Sequence, residues 1–502
     1  MRLLNELLRR RVLQVLGIYL AAGWGMLEFT DWAATRFQLQ APLVMLVFVG
    51  GCLVLPVVLV MAWRLGGGTP LPLPEAPPRS VAVLPFVTAG GDPDTDFLGF
   101  GLADQILTDL SRVQDLHVVA RTSSFALARG RDDVRAIGRK LGVRAVLEGS
   151  LQRVGNRLRV TTQLISAENG YHLWSERYDR TMDDVFRIQD EIAANVARVL
   201  QAVLREHERE AMARVPTQDI QAYELYLRGR RFFFEMKRRS LEYARDMYLR
   251  AVELDPGFAL AHAGVAEATA MMATYYPAAR ADLEAGRAAS LRALELDPRL
   301  AEAHSAYGAV LFAEGNAAEA EAALRRAVDL DPRLYEARYI LARALFQQGR
   351  FDEAAKLFHQ AFQVRADTQA AFFTAQALEA QERHDDARRA YGEALAVAER
   401  HMELNPDDAR VATMRAVSLC RLGRVEEGLH WAERALAIDA DDAGVRYNAA
   451  CLFAVAGRTE RALDCLEEAL AVGFGNRAWL ERDPDLDGVR HHPRFQDIMA
   501  RT

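Results

Sequence analysis

One alternation of apolar and acidic residues recurs three times in the chain. AVELDP ends at Pro256, ALELDP at Pro298 and AVDLDP at Pro332. Each reads as the last turn of a helix, closed by a proline that cannot continue the backbone ladder. Pro298 and Pro332 stand 34 residues apart, and Pro256 and Pro298 stand 42 apart, which places an insertion at 274–281. In the unit that opens near Ala301, the small residues Gly308, Ala320 and Ala327 fall where two antiparallel helices come too close for a large side chain. Leu341, Ala342, Ala354, Phe358 and Ala361 take the matching positions in the next unit, and Ala244, Tyr248 and Ala251 in an earlier one. Gly315 and Gly349 occupy loops between paired helices. Weaker units follow at Ala387/Tyr391/Ala394, Gly423/Ala435 and Gly457/Ala462/Ala469.

The beginning of the chain carries a different pattern. From Val12 to about Thr30 the sequence is apolar apart from Gln14 and Glu28, and from Pro42 to Trp63 it has no charge. At about 1.5 Å per residue both runs are long enough to cross a bilayer. Arg2, Arg9, Arg10 and Arg11 precede the first run, Arg64 follows the second, and Arg36 alone lies between. The positive-inside bias then places both termini in the cytoplasm. Residues 1–65 are therefore expected to be a two-helix membrane anchor, and the Gly/Pro-rich stretch 66–79 a linker.

At Ser80 short runs of β-formers begin. SVAVLPF and LHVVA read as strands, 97–112 and 132–142 as helices. VRAVLEGSLQRVG, NRLRVTTQLISAENG and YHLWSERYDR read as a three-stranded meander with turns at Gly155-Asn156 and Asn169-Gly170. A helix from about Met182 to His207 closes the unit. The order β-α-β-α-β-β-β-α makes 80–207 one α/β domain.

With their period and their small, large and proline positions in register, residues 221–472 resemble the tetratricopeptide repeat (TPR) family, in some seven units, and 221–502 is expected to be the array with its tail. The resemblance implies a superhelix with a concave groove for peptides or protein segments. The blocks SVAVLPF, GDPDTDFLGFGLADQI, ARTSSFA, RAIGRKLGVRAVLEGSLQRVGNRLRVTTQLI and HLWSERYDR resemble the amino-terminal domain of the TolB family. The first 65 residues resemble a two-helix membrane module that precedes such domains, and 477–495 resembles the usual ending of such proteins. The expected fold is thus two transmembrane helices, an α/β domain and an all-α TPR superhelix.

Composition adds exclusions. The 502 residues carry a net charge of −7, so no global basic field attracts nucleic acid. Cys52, Cys420, Cys451 and Cys465 form no CxxC pair, and no Cys/His group has zinc spacing. Gly99-Phe100-Gly101 after a strand is a candidate phosphate loop, but Asp104 stands where a third glycine belongs and would repel a phosphate. Asp132/Asp133 and Asp183/Asp184 precede helices and suit their dipoles better than acid–base chemistry. Arg230/Arg231 and Arg238/Arg239 flank Phe232–Phe234, a pattern read here as a core cluster beside solvated arginines, ahead of nucleic-acid binding. No catalytic set, metal site or cofactor is expected.

In TPR proteins the inner face comes from the first helix of each pair. The resemblance maps Tyr339, Arg343, Phe346, Arg410, Arg421, Tyr447 and Cys451 onto it. Arginines beside aromatics favour an acidic or aromatic-bearing segment, since a guanidinium pairs carboxylates and stacks on rings. The expectation is a non-enzymatic scaffold at the bacterial inner membrane, with the bilayer and a protein segment as partners. Its soluble part faces the cytoplasm, or the periplasm as in TolB. The competing reading is a sensor whose α/β domain binds a nucleotide or other small molecule.

Overall fold

The computed structural model describes residues 76–88, 93–127, 133–205, 215–276, 280–472, 474, 480 and 483–501, and the isolated positions Thr30, Val54 and Leu55. Among the described residues no helix is long and apolar enough to cross a membrane. That finding overturns the fold class with two transmembrane helices; the stretches 12–30 and 42–63 on which it rested lie, but for those isolated positions, outside the described residues. What the structure describes is an α/β domain followed by an array of helix pairs.

The α/β domain runs β1 (Ser80–Val83), β2 (Val87–Thr88), α1 (Pro93–Arg112), β3 (His117–Val118), α2 (Arg121–Leu127), α3 (Val134–Leu141), β4 (Ala145–Val154), β5 (Arg157–Ser166), β6 (His172–Thr181) and α4 (Val185–Val199). The sheet order is β3-β1-β4-β5-β6, with β2 also paired to β4. β1 lies parallel to both neighbours, and all four of its residues are buried, as a parallel strand covered on both faces must be. The expected meander is present. β4 and β5 pair antiparallel from Ala145↔Ser166 to Val154↔Arg157, and Gly155, at φ +59°, opens the two-residue hairpin loop where an L side chain would be strained. Three elements differ from the sequence reading. Arg121–Leu127 forms a helix, α2, Val87–Thr88 adds a short strand, and the closing helix, read as Met182 to about His207, runs only over Val185–Val199, with 201–205 non-helical. Asp133 caps α3, its carboxylate accepting from Ala136 N at 2.9 Å.

Seven helix pairs follow among the described residues: α5 (Ile220–Phe233) with α6 (Arg238–Leu254), α7 (Ala259–Tyr275) with α8 (Arg280–Leu296), α9 (Ala301–Ala313) with α10 (Ala317–Leu330), α11 (Tyr335–Gln347) with α12 (Phe351–Val364), α13 (Thr368–Glu379) with α14 (His384–Leu404), α15 (Ala409–Arg421) with α16 (Val425–Ile438), and α17 (Ala443–Val455) with α18 (Thr459–Ala471). A last helix, α19, spans Pro493–Arg501. The recurrent Asp-Pro explains itself locally. The carboxylates of Asp255, Asp297 and Asp331 each accept the backbone N–H two residues on, at 2.9, 2.9 and 2.8 Å, turning the chain out of one helix and into the next. Gly308 lets α9 and α10 close up: a Cβ there would meet Leu324 at 2.5 Å. The insertion at 274–281 lengthens a pair. α7 has 17 residues where α9, α11 and α15 have 13, roughly one further turn.

The domain and the array share one core. Leu102, Ile106 and Leu110 of α1, Leu147 and Leu151 of β4 and Ile192 of α4 belong to the same buried cluster as Tyr223, Leu227, Tyr248 and Phe258 of the first repeats. A Cβ on Gly101 would meet Leu227 at 2.6 Å, so glycine lets α1 press against α5.

Candidate functional site

The extra turn of α7 carries Tyr275 across the face built by the first helices. Arg343 of α11 donates from Nη1 to the Tyr275 hydroxyl at 3.2 Å, and its guanidinium lies 5.8 Å from the Tyr275 ring centroid. Arg410 of α15 lies 5.7 Å from the same ring. One tyrosine thus engages helices two and four pairs further along, which requires the first-helix face to curl around it. Arg343 also approaches the rings of Phe312 and Phe373, each at 5.5 Å. Two of the mapped residues, Arg343 and Arg410, are therefore brought together by an aromatic side chain of the chain itself.

Tyr339 belongs to the same cluster, and the remaining mapped residues go elsewhere. Tyr339 is buried beside Tyr275 and Arg343, stacked on Tyr335 at 5.7 Å and set edge-on to Phe358 at 5.8 Å and to Phe373 of the next repeat at 6.1 Å, so it packs between repeats. Phe346 packs edge-on against Phe351 at 5.1 Å. Arg421 bridges Glu379 at 3.5 Å and Asp485 at 3.3 Å. Tyr447 is stacked on Phe474 at 4.2 Å and bonds the Asp483 carboxylate, and the Cys451 Sγ lies 3.7 Å from that carboxylate. The tail thus covers Tyr447 and Cys451 and pairs with Arg421, which stays exposed. Burial, with Asp483 adding to it, pushes the Cys451 thiol well above its ordinary pKa, so it stays a neutral, inert thiol. Sequence reasoning missed Tyr275. The signal available was the 42-residue spacing together with the tyrosine pair 275–276 inside the insertion.

The Gly99-Phe100-Gly101 segment lies within α1, and its glycines serve close packing: a Cβ on Gly99 would stand 2.6 Å from the Phe86 carbonyl oxygen. Asp104 is 3% exposed and committed to internal partners. It accepts from Arg121 Nη1 at 3.3 Å and from Arg230 Nε at 3.2 Å, tying α1 to α2 and α5. Of the arginines expected to be solvated, Arg238 and Arg239 are exposed, whereas Arg230 lies 4.7 Å from the Phe234 ring centroid and Arg231 4.6 Å from Phe97. Arg121 lies 3.0 Å from the Phe234 ring centroid. Burial lowers the Arg121 pKa to about 9, against the pull of Asp104. These groups weld the domain to the array. Among the described residues, no cluster of His, Cys, Asp and Glu has the makings of a metal site.

Comparison with known families decides what the array is. Models of the tetratricopeptide repeat match residues 311–379 and 374–443. These are tetratricopeptide repeats. Residues 78–195 match the model of the second domain of HilA/YgeH-like transcriptional regulators, which stands where a TolB-like domain was expected. A curated protein of Rhizobium meliloti (strain 1021), named "Putative adenylate cyclase 3", is 42% identical over 198 residues, 39% of this chain. The chain spans about a third of that relative's length (33%). Among solved structures, a tetratricopeptide repeat protein from Parabacteroides merdae ATCC 43184 is 15% identical, with a TM-score of 0.36 over 54% of this chain and 99% of its own. A thermophilic TPR protein of Thermus thermophilus, TTC0263, is 23% identical, with a TM-score of 0.31 over 37% of this chain and 94% of its own. YrrB, described as a TPR protein with an unusual peptide-binding site, is 21% identical, with a TM-score of 0.26 over 38% of this chain and 96% of its own.

Proposed function

We propose that this protein is a non-enzymatic scaffold whose repeat array captures a segment of another protein. Tetratricopeptide arrays mediate protein interactions through their first-helix face. The observation that carries the reading is Tyr275 seated against Arg343 and Arg410. An aromatic ring held by guanidinium groups displays the chemistry this face accepts, and Asp485 on Arg421 adds an acidic example. The partner segment is therefore one that presents an aromatic residue next to Asp or Glu, and it competes with Tyr275 for the arginines. The α/β domain, welded to α5, serves as a docking module in fixed orientation. The bilayer has no counterpart among the described residues and is not part of this reading.

Selection from a random peptide library against the purified chain tests it. Enriched sequences should pair Tyr, Phe or Trp with Asp or Glu. Arg343→Glu combined with Arg410→Glu should abolish their binding, and Tyr275→Ala should strengthen it by vacating the face. Selected peptides that bind the double variant as well as the parent would refute the assignment. Incubation with ATP is expected to yield no cyclic AMP; turnover would put the chain with the activity its Rhizobium relative is named for.

A further inference from the structure

A second concavity lies away from Tyr275, between the α/β domain and the outer ends of the repeats. It is a cleft of about 1120 Å³, lined from the domain by Thr108, Asp109, Arg112 and His117 and from the array by the turns that open α7, α9 and α11. The volume is slightly above the range that small-molecule sites usually enclose, roughly 300–1,000 Å³, so a small ligand would fill only part of it.

The charges on its walls are unevenly satisfied. Arg112 is engaged three ways, by Glu302, by Asp331 at 3.4 Å and by Asp109 at 3.8 Å, so those acids are already spoken for. Burial also pushes Asp109 up to about 7 and Asp190 up to about 6, which thins the negative charge on this wall near neutral pH. Arg338, in the first turns of α11, is placed otherwise. Its Nε and Nη1 are shut off from water and meet no acceptor among the described residues. Burial lowers its pKa below the ordinary arginine value, with Asp331 opposing and Arg333 reinforcing the effect. Arg333 stands close by, its own guanidinium aimed at the Gln114 and Leu116 carbonyls at 2.8 and 3.3 Å. Arg299, at the same place one repeat earlier, lines the cleft too. Leaving donors of a cation unmet is costly, and the ordinary remedy is an oxyanion that takes two parallel N–H bonds from one guanidinium. More than one positive charge on the wall favours a dianion over a monoanion, and a phosphate monoester carries about −1.5 to −2 at pH 7.

We propose that this cleft binds a small organic phosphate, with the phosphate on Arg338 and the carbon portion along Leu260, Leu296 and Leu300. The site belongs to neither part alone: the domain closes one wall and the repeats supply the cation. It is distinct from the Tyr275 face and stands or falls independently of peptide capture.

Titration calorimetry on the full chain tests it with four probes: adenosine 5′-monophosphate, ribose 5-phosphate, inorganic phosphate and citrate. At least one phosphate monoester should bind saturably at one per chain, and inorganic phosphate should compete with it. Arg338→Gln should weaken binding by about tenfold or more, a difference of about 1.4 kcal/mol in affinity. Arg326→Gln, on an exposed arginine outside the cleft, should leave it unchanged. The thermal midpoint of Arg338→Gln should equal or exceed the parent's, because this side chain holds no protein group at Nε or Nη1. Absence of saturable binding by both monoesters overturns the proposal. So does tighter binding of citrate than of either monoester, affinity unchanged in Arg338→Gln, or a lowered midpoint in that variant.

Discussion

Replacing Asp104 by alanine puts the weld between domain and array to a quantitative test. The carboxylate is 3% exposed and holds Arg121 and Arg230, both at hydrogen-bonding distance and both also set against the Phe234 ring. Removing it leaves Arg121 buried without a counter-charge, facing Arg230, whose side chain is 22% exposed. Breaking a buried pair from one side costs about 3–5 kcal/mol, because the stranded charge loses its partner and has no water to replace it. Arg230, being partly exposed, adds less than Arg121 does. The Phe234 ring, worth about 2 kcal/mol to a desolvated cation, keeps part of the interaction and pulls the estimate back toward about 3. At about 2–4 °C per kcal/mol for a large chain, the midpoint of the transition that includes the α/β domain should fall by about 6 °C or more. The assay is thermal and urea denaturation followed by far-ultraviolet circular dichroism. A compensated variant sharpens it. Asp104→Leu with Arg121→Met and Arg230→Met removes every charge of the cluster, and its stability should return to within about 1–2 kcal/mol of the parent. A loss below about 1 kcal/mol for Asp104→Ala, or a triple variant less stable than the single one, would refute the account of the cluster as a buried, mutually dependent unit.

Gly101→Ala places a Cβ against Leu227 and should destabilise by about 1–3 kcal/mol, whereas Gly392→Ala, inside α14 with no atom near its added Cβ, should stabilise by about 0.5–1 kcal/mol; urea midpoints of the pair decide. Asp109 has a folded-state pKa of about 7 against an ordinary 3.8, so the folded chain holds its proton longer than the unfolded one and loses stability as pH rises from about 4 to 7. Melting curves from pH 5 to 8 should therefore fall less steeply for Asp109→Asn than for the parent, and parallel curves would refute this. Arg494 joins Glu467 and Asp464, both at 2.7 Å, and Glu460 at 3.2 Å, but it is partly exposed, so Arg494→Ala should cost only about 0–1 kcal/mol in a urea titration.

The helix pairs were legible because their signal is local and repeated. The Asp-Pro turn, the glycine at the close approach and the spacing of small residues are each properties of a few neighbouring positions, copied along the chain. The meander was legible for the same reason, since Gly155-Asn156 fixes the hairpin whatever lies beyond it. The site was not legible in that way. Tyr339, Phe346 and Tyr447 sit at inner-face positions yet pack against Phe358, Phe351 and Phe474, partners that only the folded array supplies. Tyr275 reaches Arg410 across 135 residues of sequence, and no periodicity encodes that meeting. Arg230 and Arg231 looked solvated because the aromatic rings and the carboxylate that receive them, Phe97, Phe100 and Asp104, lie in a different domain. Arg333 and Arg338 gave no local sign of the cleft, because the other wall is built from α1.

The contacts between domain and array also set where the molecule can stretch. A free solenoid behaves as a spring, because each repeat touches only its neighbours and small changes of angle accumulate along the axis. Here α5 is bonded to α1, Arg333 holds the carbonyls of Gln114 and Leu116, and Leu404 packs beside Ala82 and Leu127 of the α/β domain. The coils from α5 to α14 are thus riveted to a sheet at several points and behave as a stiff beam. Tyr275 and Glu379 also hold α15 to the earlier coils, so compliance is left to the coils beyond α16, and a pull on a captured partner would be absorbed at the carboxyl-terminal end while the amino-terminal half transmits the load unchanged.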